Sequence, residues 1–285
     1  MMEQSYPIRE EMIHSSVCGD YRVMICQPAA PPPDEGWPVI YLLDGASHFP
    51  IAAHLMRTLA RPRCCMLPGV VVAIDYPGAT RRERDYRPYV AELIPEPNPR
   101  GGYYLAGMTG AAEAFFSFLQ DELKPFIRSM LLTDDKREAL YGHSYGGLFT
   151  LYSLFTHSER FRHFYASSPS VWWNDGYIRK LAEHFIARAT TTSLRQETVL
   201  FLSVGEHEQS LEAWERCQPA EECRWLAQHR QQRRMVDGLR ELAGLFQSHP
   251  VNSLQVELFI HPDQSHQSVP LCSLQKAMMH HFRRC

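Results

Sequence analysis

The 285-residue sequence holds no apolar run long enough to cross a bilayer. It also lacks any surplus of positive charge: 29 Lys and Arg stand against 32 Asp and Glu, a formal net charge of −3. Nothing in that balance can neutralise a phosphate backbone, so nucleic acid is not an expected partner. Ligand patterns for metals are missing as well. The 14 histidines form no H-E-x-x-H, and the 8 cysteines form no C-x-x-C. Cys64 and Cys65 are adjacent, and Cys217 and Cys223 have neither zinc nor redox spacing. All eight thiols are expected to be reduced, with no metal site and no cofactor. The N-terminal stretch MMEQSYPIREEMIHSS lacks the basic start and apolar centre of a secretory leader. The expectation is a cytoplasmic protein without membrane association.

What is present fits a globular enzyme. Hydrophobic residues make up 45% and charged residues 21%, the proportions of an ordinary folded core and surface. The length suits one large α/β domain over 1–285. Residues 9–18 and 21–27 read as an antiparallel pair, followed by a Pro-rich loop over 28–38. Continuously apolar runs at 39–43, 70–74, 198–204 and 255–260 read as strands buried on both faces. Strands are also expected at 137–141 and 164–167. Helices are expected at 48–59, 109–130 (kinked at Pro125), 147–155, 174–188 (capped by Asn174 or Asp175), within 221–246, and at 269–284. Strands alternating with helices imply a mostly parallel sheet covered on both sides. Residues 77–104 form a long Arg-, Pro- and Gly-rich loop, a length that usually signals function.

The most informative segment is Gly142-His143-Ser144-Tyr145-Gly146, a G-x-S-x-G pentapeptide. A short strand precedes it and an apolar helix follows. A serine at such a turn projects its hydroxyl from the C-terminal edge of the sheet, where the new helix points its free N–H groups. A hydroxyl needs a base to become nucleophilic. His266, in the loop after the last strand, fits that role, with His261 as the competitor. An acid should follow the preceding strand, in Val204-Gly205-Glu206-His207-Glu208. Glu208 is the first choice and Glu206 the alternative. The oxyanion of acyl transfer needs two donors. The backbone N–H of Tyr145 supplies one, and Gly45 or Ala46, after the 39–43 strand, the other.

Several segments together resemble the putative-esterase branch of the α/β hydrolases. They are PVIYLLDG (38–45), the R-x-x-D-x-x-P run of residues 82–88, YGHSYGGLFTLYSLF (141–155), ASSPSVWWN (166–174), VGEHEQ and HQSVP. The resemblance is strongest to siderophore trilactone esterases of the enterobactin and salmochelin type. It implies the α/β-hydrolase fold, Ser144 as nucleophile, His266 as base and Arg82 as a contact for an acidic substrate. Some such esterases use a Ser–His dyad, so Glu206 and Glu208 stay open as acids.

The substrate implied is a small-molecule ester, including a ferric catecholate siderophore whose iron arrives as cargo. Arg81, Arg82, Arg84 and Arg87 cluster in the long loop, and guanidinium groups suit planar anions. Trp172 and Trp173 follow a strand at the same edge and are candidates for stacking on an aromatic ligand. Two other readings compete. One is a thioesterase or acyltransferase of the S-formylglutathione hydrolase kind. The other is a non-catalytic binding protein on a hydrolase scaffold, which would have no need of a serine, a histidine and an acid together.

Overall fold

The computed structural model describes residues 6–104, 110–189 and 194–284. Residue 109, the expected start of one helix, lies outside them, as do residues 1–5 and Cys285. Eight strands form one sheet: β1 (Ile8–Ser15), β2 (Gly19–Cys26), β3 (Trp37–Leu42), β4 (Val70–Asp75), β5 (Thr133–His143), β6 (His163–Ser167), β7 (Thr198–Gly205) and β8 (Leu254–His261). Their spatial order is β1-β2-β4-β3-β5-β6-β7-β8. β1 pairs antiparallel to β2, and β2 antiparallel to β4. All the remaining pairs are parallel.

The period of two along each central strand divides the core. Val39 and Tyr41 of β3, and Val70 and Val72 of β4, enter one apolar cluster; Ile40, Leu42, Val71 and Ala73 enter the other. Because both faces are buried, these strands read as unbroken apolar runs. The first cluster is closed by α5 (Tyr145–Thr156), α6 (Trp173–Ala189) and α8 (Met235–Ser248), with Leu151, Phe155, Phe185 and Leu242. The second is closed by α1 (Gly45–Leu59) and α9 (Val269–His281), with Phe49, Met56, Leu274 and Met278. The N-termini of α1 and α5 stand at the same sheet edge. β3 and β5 are parallel neighbours in register at Leu42 and Tyr141, and each leads almost directly into its helix.

Four expectations are corrected. The helix over 112–130 is not simply kinked at Pro125. It runs as α3 (Ala112–Ser117), a π-helical turn over Phe118–Leu123, and α4 (Lys124–Met130). Pro125 has no N–H for the carbonyl four residues back, and the ladder slips to wider spacing just before it. α6 does not begin with an extended cap. Asn174, Asp175 and Gly176 take left-handed φ of 49°, 52° and 69° before the right-handed turns begin. Asn, Asp and Gly are the residues that tolerate this region, and Asn174 Oδ1 accepts the Ile94 N–H (2.7 Å). The helix within 221–246 is two, α7 (Ala220–Arg233) and α8, broken at left-handed Arg234. The 77–104 loop carries a short helix, α2 (Arg82–Asp85), and an isolated bridge between Pro97 and Tyr103.

Candidate active site

Ser144 joins β5 to α5 with φ 59° and ψ −116°, a conformation that costs a non-glycine residue roughly 1–3 kcal/mol. The surroundings hold it there. Its N–H donates to the Ser167 carbonyl of β6 (2.9 Å), and its own carbonyl accepts from Leu148 (2.9 Å) and Ser170 (3.1 Å). Gly142 is obligatory at this turn, because a Cβ there would lie 2.2 Å from the Gly146 carbonyl oxygen. The N–H of Tyr145 would ordinarily seek the Tyr141 carbonyl, but that oxygen accepts from Leu43 instead (3.1 Å). The Tyr145 N–H therefore has no acceptor among the described residues.

The loop after β3 offers a second donor. Asp44 is left-handed (φ 53°), and α1 starts at Gly45, whose N–H has no acceptor among the described residues. Ala46, the other expected donor, is corrected: its N–H is spent on Asp75 Oδ2 (2.9 Å). Gly146 packs against Leu43 and Asp44, so the two helix starts touch.

Arg82 was expected to reach for ligand. Its partners in this structure are groups of the protein. Its Nε and Nη2 fork onto Asp44 (3.0 and 3.1 Å), and Nη2 also donates to the His143 carbonyl (3.3 Å). Burial works against the charge, but the Asp44 carboxylate more than offsets it, and the guanidinium pKa is raised. The residue staples the β3–α1 loop to the strand end that carries Ser144.

His266 donates from Nδ1 to Glu208 Oε2 at 2.7 Å. With the proton on Nδ1, Nε2 is left as the basic nitrogen. Glu208 is almost fully buried, and its other oxygen accepts from the Gly205 N–H (2.8 Å) and the Ser168 hydroxyl. The His266 ring lies 4.5 Å from the ring of His143, the residue before Ser144. His143 is itself fixed through Nδ1 to Ser167 Oγ (3.1 Å). Burial, and then the neighbouring His266, His48 and Arg82, push the His143 pKa well below its usual value, so that ring stays neutral. Glu206, the alternative acid, is exposed and accepts the Asp263 N–H (3.1 Å). His261, the alternative base, pairs with Gly205 in the β7–β8 ladder, with Lys276 as its charged neighbour. Neither meets the other's partner: the geometry joins Glu208 to His266.

Beside the elbow opens a cleft of about 510 Å³, lined by Tyr145, Leu93, Trp172, Tyr104, Glu96 and Arg233 among others. Trp172 is half-buried at its wall. Trp173 is 3% exposed and sets its ring edge-on to Tyr177 (5.6 Å), so only Trp172 presents a substantial face.

The family described as "Putative esterase" matches residues 15–247. The chain belongs to that family. Ferri-bacillibactin esterase BesA of Bacillus subtilis is 37% identical over 196 residues, 66% of this chain and 66% of that protein. The chain thus spans about two thirds of that relative's length. A siderophore enterobactin esterase of Emericella nidulans is 34% identical over 238 residues, 81% of this chain and 77% of the relative. The siderophore hydrolase EstA from Aspergillus nidulans superposes with a TM-score of 0.84 at 30% identity, over 96% of this chain and 93% of that one. The fold is that of the α/β hydrolases, and this esterase is a carboxylic ester hydrolase. The matched span takes in Ser144, Arg82, Trp172 and Glu208 and stops before β8 and His266.

Arg233, Glu96 and Tyr104 escaped the reading of the sequence. Arg233 ends a helix none of whose residues is buried, and a polar helix carries no signal separating a cleft-lining arginine from a solvated one. Ser168, which holds the acid, had no signal either.

Proposed function

We propose that this esterase opens ester bonds of a siderophore-type substrate, an anionic molecule bearing aromatic rings, through an acyl-enzyme at Ser144. Nε2 of His266 takes the hydroxyl proton as Oγ attacks the ester carbonyl. The imidazolium that forms is stabilised by Glu208, whose position is fixed by Gly205 and Ser168. The N–H groups of Tyr145 and Gly45 receive the oxyanion; each such donor is worth about 10²–10³ in rate. His266 then passes its proton to the leaving alkoxide oxygen. In the second half-reaction it takes a proton from water, which attacks the acyl carbon, and returns that proton to Ser144 Oγ as the acyl–Oγ bond breaks and the acid leaves. Trp172 offers a face for an aromatic arm.

One observation carries the reading: the 2.7 Å bond from His266 to buried Glu208, which sets the imidazole against the elbow strand. The choice of substrate is supported by the names of the relatives, esterases of bacillibactin and enterobactin. The seven described cysteines are all unpaired, which favours a reducing, cytoplasmic setting.

The test is incubation with ferric and metal-free enterobactin and bacillibactin, with products separated and weighed by mass spectrometry. Linear trimer and smaller fragments are expected with the native chain and none above background with Ser144→Ala. Fragments formed equally by Ser144→Ala would overturn the mechanism; hydrolysis of acyl thioesters alone would overturn the substrate.

A further inference from the structure

The cleft beside Ser144 is not a simple basic funnel. Its charged lining is Arg87 and Arg233 against Glu83, Glu96 and Asp175. Both arginines already have carboxylate neighbours. Arg87 donates from Nε to the Glu83 carbonyl and stands 4.0 Å from its carboxylate. Arg233 forks onto Glu96, Nε to Oε1 at 2.6 Å and Nη2 to Oε2 at 2.9 Å. The guanidinium carbon of the same arginine stands over the Trp172 ring, 4.1 Å from its centroid. A forked, stacked arginine is the arrangement that recognises a planar carboxylate or related anion. Here the seat is filled by a side chain of the protein itself.

We propose that Arg233 is the specificity-determining residue for the anionic aryl part of the substrate, and that Glu96 is an internal stand-in that the substrate displaces. This rests on the siderophore-esterase reading for the class of ligand. Three features support it. First, the position is right. Arg233 and Trp172 form the common wall between the cleft at Tyr145 and a second cleft of about 480 Å³. An aryl anion held there lies between the two clefts, with room for a branched molecule on either side.

Second, exchange leaves the core intact. No residue of α7 is buried. The helix is tied to the 96–104 turn by side chains alone: Arg233 to Glu96, Arg100 to Glu222, and Tyr104 to His229. Swinging Glu96 away uncovers no core. The Arg233 side chain is 30% exposed and that of Glu96 14%, so an incoming anion reaches the pair from the arginine side.

Third, displacement discriminates. A neutral ligand has nothing to offer in return for the Glu96 carboxylate. A planar anion supplies an equivalent fork and keeps the stack on Trp172. A neutral ligand therefore leaves the Glu96 fork in place, and only a charged one enters the seat.

The test measures binding rather than turnover, by titration calorimetry on the full chain carrying Ser144→Ala. The probes are 2,3-dihydroxybenzoate and its neutral amide. Arg233→Gln is expected to weaken the benzoate about tenfold, the loss of one charge-assisted contact. Glu96→Gln is expected to tighten it severalfold, and the amide should respond to neither. Arg233→Lys, which keeps the charge but not the fork, should fall between native and Gln. Thermal melts of each variant check that the fold is retained. The proposal is overturned if benzoate and amide shift together, if Glu96→Gln weakens the benzoate, or if the benzoate does not bind. Because no ester is cleaved, its failure is distinct from a failure of the hydrolytic reading: a chain that binds as described but cleaves no siderophore would sink only the latter.

Discussion

Two carboxylates two positions apart, Glu206 and Glu208, have opposite environments. Glu208 is inside, ringed by the Gly205 N–H, the Ser168 hydroxyl and His266 Nδ1; Glu206 is outside on the Asp263 N–H. Glu208→Gln should therefore cost about 10³–10⁴ in kcat/KM, the scale seen when a triad acid is neutralised. Glu206→Gln should stay within about twofold, as an exposed side chain away from such features usually does. Steady-state hydrolysis of an activated aryl ester checks both. Arg82 gives a second prediction at this scale. Arg82→Ala removes the staple between Asp44 and the His143 carbonyl and should lower kcat more than it raises KM if the loop it holds carries the proposed oxyanion donor; a rise in KM alone would mark Arg82 as a ligand contact. The sharp turn at Ser144 was legible because a serine between glycines, after a strand and before a helix, fits few other conformations, and chain order then points to the last loop, where His266 stands beside His143. The choice between Glu206 and Glu208 was not legible. It depends on which way one 3₁₀ turn faces, and that is set by Gly205 and Ser168. Nor was Arg82's partner, since Asp44 sits 38 residues away in the chain.

The loop from β8 to α9 has to deliver His266 to a fixed place, and its closest constraint is Gly205 at the end of β7. A Cβ on Gly205 would stand 2.4 Å from the Gln264 carbonyl oxygen, two residues from the imidazole. Gly205→Ala should destabilise by about 1–3 kcal/mol and lower kcat/KM at least tenfold, since backbone must move to make room. Gly244→Ala is the control. Its Cβ would meet nothing within 4 Å in α8, and it should stabilise by about 0.4–1 kcal/mol. Urea titration with parallel kinetics separates the two cases. Among elements, the buried strands were the easiest to read, since burial on both faces leaves an unbroken apolar run. The breaks were not. The π turn before Pro125, the left-handed run at Asn174–Gly176 and the bend at Arg234 are answers to neighbours: Asn174 is held by Ile94 across 80 residues, and no local pattern reports that.

The sheet carries apolar layers on both faces, and many tyrosines are sealed within them. Tyr41, Tyr86 and Tyr165 are fully enclosed and their phenols are raised well above the usual value by burial. Burial also pushes Tyr141 and Tyr6 up to about 12. In the unfolded chain such phenols ionise near about 10. Below that pH both states hold the proton and these groups add no pH dependence. Above it the unfolded chain releases protons that the folded one keeps, so stability falls from about pH 10 through about pH 12. Melting curves between pH 8 and 12, followed with tyrosinate absorbance, should show the absorbance of these five rising only with unfolding. Alternating strands and helices, and hence the fold class, followed from that same division into two layers. The cleft did not follow, because it is walled by α7, none of whose residues is buried, and by the 77–104 segment, which mixes exposed residues with buried Tyr86 and Arg87; neither carries a periodic signal. The central claim is that Ser144 is an activated hydroxyl, and labelling with a fluorophosphonate probe followed by peptide mass spectrometry tests it most directly. A single adduct on Ser144, slowed strongly in Glu208→Gln, is the predicted result; esterase activity that survives with Ser144 unlabelled, or an adduct on a different serine, would contradict it.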